Sequence, residues 1–171
     1  MVRVTYLPFE LHPEAPPEGI PYETYFGSAR SLQVRSYLQT VAEQVGLKMQ
    51  SRGVIINSRR ALGAAEYARE QGKFDEMHHA LFKAHWEQTG RLEDVDDLVR
   101  IGTEVGLDPT ELRAAIEEGR YEDVIDENRQ VATSAGINAI PAHVFGRRYL
   151  VMGAQPYDVL KQVVDRVTSE A

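Results

Sequence analysis

The sequence predicts an α/β fold that carries a long, all-helical insertion. Three observations predict it: an alternating apolar pattern at the start, helical periodicity from about residue 28 to residue 135, and two short strand-like runs followed by a last helix. The helical block has no linker of its own, so we interpret it as an insertion into one α/β domain. Residues 1–27 and 136–171 then form the α/β domain, and residues 28–135 form the helical insertion domain.

Strand signals lie near both ends of the chain. Val2, Val4 and Tyr6 alternate with polar residues, which predicts a first strand. Residues 12–22 contain four prolines and one glycine, which predicts an extended loop. The apolar runs 139–145 and 148–152 flank a Gly-Arg pair, which predicts a hairpin.

Capping residues mark the helices between these ends. Asp94 and Asp108 have the side chains that favour helix starts, and Pro109 suits a first helical position. Glycines are placed as helix stops, at positions 46, 72, 106 and 136. In the first long helix, Leu32, Leu38, Val41 and Val45 can line one face. In the last helix, the predicted buried stripe is Val159, Leu160, Val163, Val164 and Val167.

Composition excludes several functions. The 171 residues carry a net charge of −7, whereas a protein that neutralises phosphates needs a basic surface, so we expect no nucleic-acid partner. No run of about 18 apolar residues exists, so we expect no membrane span. The first residues lack the order of a secretory signal, which makes a cytoplasmic location the expectation. The chain contains no cysteine, which excludes disulfides, thiolate metal sites and a cysteine nucleophile on these residues.

Metal and cofactor signals are weak. His78, His79 and His85 lie on one predicted helix, but His85 is six or seven residues from the other two, whereas ligands that share a metal on a helix need a spacing of three or four. The acidic segment around Glu93 lacks the glycine and the terminal glutamate of a calcium loop. No glycine-rich phosphate loop is present. We therefore predict no metal and no cofactor.

The segment GINAIPAHVFGRRYLVMGAQP, residues 136–156, resembles the second half of a DsbA-type thioredoxin domain. In that family a proline loop with a cis peptide bond precedes a hairpin, a Gly-Ala-Gln turn and the final helix, and Ile140-Pro141 and Gly153-Ala154-Gln155 match this order. The segment TYLPFELHPEAPPEGIP and the helical block resemble the FrnE-like and 2-hydroxychromene-2-carboxylate isomerase branch. The resemblance covers nearly the whole chain and implies a thioredoxin-like fold with a helical insertion.

The resemblance also implies a strand–helix unit that this chain lacks. Family members begin with a strand and a helix that carry Cys-x-x-Cys, or a serine in the isomerase and kappa-class glutathione transferase branch. This chain starts at the counterpart of the second strand, so the catalytic thiols have no counterpart here. Three explanations stay open: a shortened sequence, a strand exchanged within a homodimer, or a partner chain that supplies the unit.

The candidate site residues follow from the resemblance and from their positions. Ile140 and Pro141 match the substrate-binding loop of the family, and His143 lies two residues further on the predicted strand. Asn57 stands near the place where the isomerase branch holds substrate or glutathione, although a helix cap explains it equally well. For His143 a half-exposed strand residue is the alternative to a general base. No catalytic residue is assigned.

Three functions are therefore open. The first is a DsbA/FrnE-like thiol–disulfide oxidoreductase by lineage, inactive as a dithiol enzyme on this cysteine-free chain alone. The second is a glutathione-dependent isomerase or transferase of the serine branch. The third is a non-enzymatic peptide-binding module. The resemblance implies a peptide or thiol substrate, with glutathione as one candidate, and a second copy of the chain in a homodimer.

Overall fold

The computed structural model describes residues 2–170, and it describes only the backbone of residues 30, 31, 34 and 35. This part of the chain forms eight helices and four short strands. The elements in chain order are β1 Ile20–Pro21, α1 Tyr22–Phe26, α2 Ser28–Gln44, β2 Val54–Ile55, α3 Arg59–Glu70, α4 Phe74–Trp86, α5 Val95–Glu104, α6 Pro109–Glu117, α7 Glu122–Ser134, β3 Ala142–Phe145, β4 Tyr149–Met152 and α8 Tyr157–Ser169.

Helix ends follow the glycine signals of the sequence. After α2 the backbone of Gly46 has a φ of 72°, and the N–H of Leu47 donates to the Ala42 carbonyl at 2.9 Å. This pairing satisfies a carbonyl that the last turn of a helix otherwise leaves without a partner. The same bond follows α3, α5, α6 and α7. The predicted stops at positions 46, 72, 106 and 136 are confirmed.

The helix starts predicted at Asp94 and Asp108 are confirmed by the structure. The Asp94 carboxylate accepts the N–H of Asp97 at 3.1 Å, and the Asp108 carboxylate accepts two N–H groups of the first turn of α6. Each bond satisfies a donor that lacks an intrahelical acceptor. Pro109, which has no N–H to leave unpaired, is the first residue of α6.

Two compact units divide the chain, one formed by residues 1–11 and 126–171 and the other by residues 12–125. The second unit contains the apolar core, in which α3, α4, α5 and α6 pack together. The largest fully buried side chains in it are Met77, Leu98, Ile101, Leu112 and Ile125. The domain boundaries predicted at residues 27 and 136 are not tested by this division and stay a prediction.

The first unit contains the hairpin and the last helix. Strands β3 and β4 pair antiparallel, with Ala142 opposite Met152 and Phe145 opposite Tyr149. In the turn, Gly146 and Arg147 have φ values of 55° and 59°. Tight hairpin turns need such positive values to match the right-handed twist of the two strands. Of the described residues of this unit, only Pro8 and Glu10 are buried.

Three expectations about local structure are wrong. Val2, Val4 and Tyr6 do not form a strand, because no described strand lies beside them to accept their hydrogen bonds. Part of the proline-rich loop is ordered as β1, which pairs with β2. The apolar stripe of α8 is only partly buried, since α8 packs lightly on β3 and no described residue of α8 is fully buried.

The four apolar residues expected on one face of α2 do not all share that face, and most of the helix surface is exposed. Among the residues of α2 whose side chains are described, only Ala42 is buried, and Leu38 and Val41 are 38% and 39% exposed. The reason is tertiary: the element that packs closely on this 17-residue helix is α1, which has five residues and covers little of it. Leu32 lies about 120° around the helix from Leu38, so it does not belong to the same face.

Candidate substrate-binding loop and strand edge

The loop before β3 is tied to the turn after β4. The Ile140–Pro141 peptide bond is cis. The N–H of Gly153 donates to the carbonyl of Pro141 at 2.7 Å, and the Gln155 side-chain amide donates to the carbonyl of Met152 at 2.9 Å. Gly153 has a φ of 80°, which a residue with a side chain adopts only at a cost. The Gly-Ala-Gln turn thus fixes the position of Pro141.

Strand β3 presents one edge that β4 does not cover. The bond from Gly153 to Pro141 makes these two residues a hydrogen-bonded pair, and such pairs alternate along an antiparallel ladder. The backbone groups of His143 and Phe145 therefore face β4, whereas those of Ala142 and Val144 face away from it. In the described part of the chain β3 pairs with β4 alone. The outward N–H and C=O groups can accept another extended chain.

Exposed apolar side chains flank this edge. Ile140 is 53% exposed at the loop, and Val144 is 59% exposed on the strand. A strand edge with apolar neighbours is the geometry in which main-chain bonds give affinity and side-chain pockets give selectivity. The loop and the strand therefore form one candidate binding surface, which we call the β3 edge and define as residues 140–145.

His143 lies on the opposite face of β3 from Val144. Its ring stacks on that of Phe145, with 6.2 Å between centroids and 25° between planes. The ring atom Nδ1 is buried and has no hydrogen-bond partner within the described structure. A buried nitrogen without a partner is uncommon, and in one neutral tautomer it is an acceptor ready for a donor from a ligand.

Asn57 has a structural task. Its side-chain Nδ2 donates to the carbonyl of Ala15 at 2.7 Å, and its Oδ1 accepts the N–H of Arg59 at 3.1 Å. The first bond holds the proline-rich loop and the second starts α3, where the preceding Ser58 makes no side-chain cap. Asn57 lies in the unit of residues 12–125, whereas Ile140, Pro141 and His143 lie in the other unit.

A cavity of about 260 Å³ lies beside Asn57 within the helical unit. Its wall contains acidic and basic side chains, among them Arg59, Arg60, Glu93 and Glu122. Glu122 lies 3.8 Å from Arg59, and the Arg60 guanidinium donates to the carbonyl of Glu93 at 3.1 Å. The guanidinium of Arg60, which contacts a neutral oxygen there, is the group best placed to meet an anion.

Glu93 anchors this wall. Its side chain is 6% exposed and accepts hydrogen bonds from Arg52 at 2.9 Å and from Arg91 at 3.2 Å. Burial alone would raise the pKa of Glu93, but the bonds from Arg52, from its own backbone and from Arg91 together lower it. The carboxylate is therefore ionised and paired, and it serves to hold the segment around Arg52 in place.

The described residues contain neither a metal cluster nor a membrane span. No group of three histidine, aspartate or glutamate side chains in residues 2–170 is arranged to hold a metal ion. Within the same residues no helix has both the length and the apolar content needed to cross a bilayer.

Sequence reasoning did not assign Gly153, Gln155 and Arg60 as site residues. The Gly-Ala-Gln motif was the signal that could have identified the first two.

The fold and the tied proline loop are those of a thioredoxin-like domain. Comparison with known proteins gives the same class, because the chain matches the DSBA-like thioredoxin domain over residues 1–165 and therefore belongs to that family. The thioredoxin-like fold predicted from the sequence is confirmed by this match and by the structural neighbour described next.

Two individual proteins are similar to the chain. One is the uncharacterized protein YwbO of Bacillus subtilis (strain 168), which is 26% identical over 166 residues, or 95% of this chain and 81% of YwbO. The other is the crystal structure of the probable DsbA oxidoreductase SCO1869 from Streptomyces coelicolor, with a TM-score of 0.85 and 24% identity over 95% of this chain and 74% of that one. At this identity the structural likeness establishes the fold alone.

Proposed function

We propose that this chain binds an extended peptide or a thiol-bearing substrate along the β3 edge, as the docking part of a DsbA/FrnE-like thiol–disulfide oxidoreductase. The supporting observation is the pair of outward-facing backbone groups at Ala142 and Val144 beside the tied Pro141 loop. A peptide strand laid antiparallel to β3 would bond to both residues, and the side chains of Ile140 and Val144 would contact alternate residues of that peptide.

The 171 residues alone perform no thiol–disulfide exchange in this proposal. Exchange requires a thiolate that attacks a disulfide sulfur, and the sequence contains no cysteine. The chemistry of the oxidoreductase therefore needs a thiol from outside these residues. Reduction of insulin disulfides by the purified chain, at a rate above that of buffer with the same reductant, would contradict this part of the proposal.

Peptide binding is tested with S-carboxymethylated insulin B chain, a fluorescently labelled probe that has no free thiol. We expect saturable binding by fluorescence anisotropy that a Val144→Lys substitution weakens about tenfold, because a charged side chain at a strand edge blocks strand addition. Val131→Lys is the matched control, since Val131 is an exposed valine on α7 in the same unit. Equal loss in both variants, or no binding by the original chain, would refute the proposal.

A second candidate is a glutathione-dependent isomerase or transferase of the serine branch. The observation that favours it is the cavity beside Asn57, where the Arg60 guanidinium can meet a carboxylate of the tripeptide. Calorimetric titration with glutathione, compared between the original chain and Arg60→Gln, tests it. Glutathione binding by the original chain that is lost in Arg60→Gln would favour this candidate over the first. If the original chain gave no heat of binding, this candidate would be excluded.

Two finer assignments remain proposals. Membership of the FrnE-like branch is supported by the helical insertion and the proline-rich loop of residues 12–22, which resemble that branch. The cytoplasmic location expected from the sequence stays a prediction. Fractionation of source cells with an antibody against the chain tests the location, and recovery from an extracytoplasmic fraction would contradict it.

A further inference from the structure

His143 is the polar side chain of the β3 edge, and neither of its ring nitrogens has a hydrogen-bond partner within the described structure. Nδ1 is buried, whereas Nε2 is not. The neighbours of the ring on this face of the hairpin are apolar: Phe145 follows along the strand, and Val151 lies directly opposite on β4. The hydrogen-bonding capacity of the ring is therefore not used by the described residues.

The burial of Nδ1 determines which nitrogen of His143 meets a ligand as a donor. A neutral imidazole carries one N–H and one lone pair, and a protonated ring carries two N–H groups. A buried N–H without an acceptor is rarer in folded proteins than a buried acceptor without a donor, so in the neutral ring Nδ1 keeps the lone pair and Nε2 carries the proton. In either state the accessible nitrogen Nε2 is a hydrogen-bond donor.

The register of strand addition brings one ligand side chain to this donor. A peptide that pairs antiparallel with β3 would bond to the backbone of Ala142 and Val144, so the peptide residue opposite His143 belongs to a non-hydrogen-bonded pair. The Cα atoms of such a pair are about 4.5 Å apart, and both side chains point to the same face of the sheet. His143 would therefore contact the side chain of that peptide residue directly.

The part of the sequence that contains the β3 edge is positively charged. Residues 128–157 include three arginines and neither aspartate nor glutamate, although the whole chain has a net charge of −7. Arg148 pairs with Glu170, whereas Arg147, which is exposed in the hairpin turn, has no ion pair among the described residues. A hydrogen-bond donor within a positively charged segment favours a ligand that carries an anionic group.

We propose that the β3 edge selects acidic peptides, and that His143 determines this specificity by donating from Nε2 to a carboxylate on the peptide residue opposite it. The inference rests on the proposed binding of an extended peptide along this edge, and it adds the chemical class of that peptide. Hydrogen bonds to an ionised acceptor are about twice as strong as those between neutral groups. A glutamate opposite His143 is therefore preferred over glutamine, which has the same shape and no charge.

Two fluorescently labelled peptides test the proposal by fluorescence anisotropy: Thr-Val-Glu-Val-Thr-amide, and the same peptide with glutamine at the centre. When the central residue lies opposite His143, the two valines lie on the face of Val144. We expect the glutamate peptide to bind the original chain about fivefold more tightly than the glutamine peptide. His143→Phe keeps an aromatic ring beside Phe145 but removes the donor, so this variant should bind the two peptides with equal affinity. Circular dichroism checks that its fold persists.

Arg147→Gln is the matched control, because it removes a positive charge near the edge and leaves the ring of His143 in place. This variant should keep most of the preference for glutamate. A preference that survives His143→Phe, or that Arg147→Gln abolishes to the same extent, would overturn the proposal. Equal binding of both peptides by the original chain, still weakened by Val144→Lys, would overturn the acidic specificity alone. If neither these peptides nor S-carboxymethylated insulin B chain binds, the proposed function fails as well.

Discussion

The backbone N–H of Gly153 donates to the carbonyl of Pro141 at 2.7 Å, and this bond joins the end of β4 to the loop that precedes β3. It also determines which backbone groups of β3 face outward, because hydrogen-bonded pairs alternate along the ladder. The conformation of Gly153, with a φ of 80°, is therefore a condition for the proposed binding surface.

Gly153→Ala should weaken both the fold and peptide binding. A Cβ in the left-handed region costs about 1–2 kcal/mol, and relief of that cost would displace the N–H from Pro141. Gly136→Ala is the control, since Gly136 has a φ of 79° after α7 and has open space around it. Urea unfolding should give a similar loss for both variants, whereas only Gly153→Ala should reduce peptide affinity. If Gly153→Ala and Gly136→Ala bound the peptide with equal affinity, the account would be contradicted.

Asn57→Ala should destabilise the helical unit by about 1–2 kcal/mol, because the carbonyl of the buried Ala15 loses its donor and α3 loses its cap. Asn57→Asp retains an acceptor for the N–H of Arg59 but has no donor for Ala15. We expect its free energy of unfolding to lie between those of the other two proteins. An Asn57→Ala chain as stable as the original would contradict the tether.

Glu93→Gln should cost about 1–3 kcal/mol of stability at pH 7, less than for a fully buried pair because Arg52 and Arg91 are partly exposed. The pKa of Glu93 is lowered in the fold, so its contribution is present above the unfolded value near 4.5 and is lost as the pH falls through the folded value. The variant should therefore lose less stability than the original chain on acidification. Glu104→Gln, at an exposed pair with Arg100, should change stability by less than about 0.5 kcal/mol.

His85 should add a second acid-sensitive contribution. Burial, helped by the charge of Arg52 and opposed by Glu93, lowers its pKa below the ordinary 6.5. The unfolded chain then binds the proton more readily, so stability present above pH 6.5 is lost as the pH falls toward the folded value. In His85→Gln this part of the pH dependence should disappear from chemical unfolding curves. An unchanged slope between pH 6.5 and pH 5 would refute the assignment.

Gly102→Ala should destabilise the core by about 1–3 kcal/mol, since an added methyl group at this position in α5 would overlap the fully buried Leu112. Gly63→Ala gives the opposite expectation. Gly63 lies within α3 with open space around it, so alanine should stabilise the helix by about 0.5–1 kcal/mol. Thermal unfolding of both variants compares the two, and a stabilising Gly102→Ala would contradict the close packing.

Local signals predicted the helices well. Asp94, Asp108 and the glycines after the helices act on their own neighbours, so their effect can be read from the sequence. Met77, Leu81 and Ala84 recur at four- and three-residue spacing along α4, and all three are buried in the core. The family resemblance, carried by the segment around Pro141, gave the fold class.

Features that depend on distant partners were not predicted. An alternating pattern such as Val2 to Tyr6 shows only that a strand is possible, because pairing needs a neighbour that the pattern does not contain. Leu38, Val41 and Val45 of α2 have the spacing of a buried face, but spacing does not say whether an element of the same chain covers them. Asn57 was assigned both a binding and a capping role, and its bonds in the structure are those of a cap and a loop tether.

The most direct test of the proposed binding surface is amide hydrogen exchange, measured by NMR with and without S-carboxymethylated insulin B chain. We expect the amides of Ala142 and Val144 to exchange at least about fivefold more slowly with the peptide, because they would become bonded to it. The amides of His143 and Phe145 face β4 already and should change little. Peptide binding that leaves Ala142 and Val144 unprotected would contradict the account.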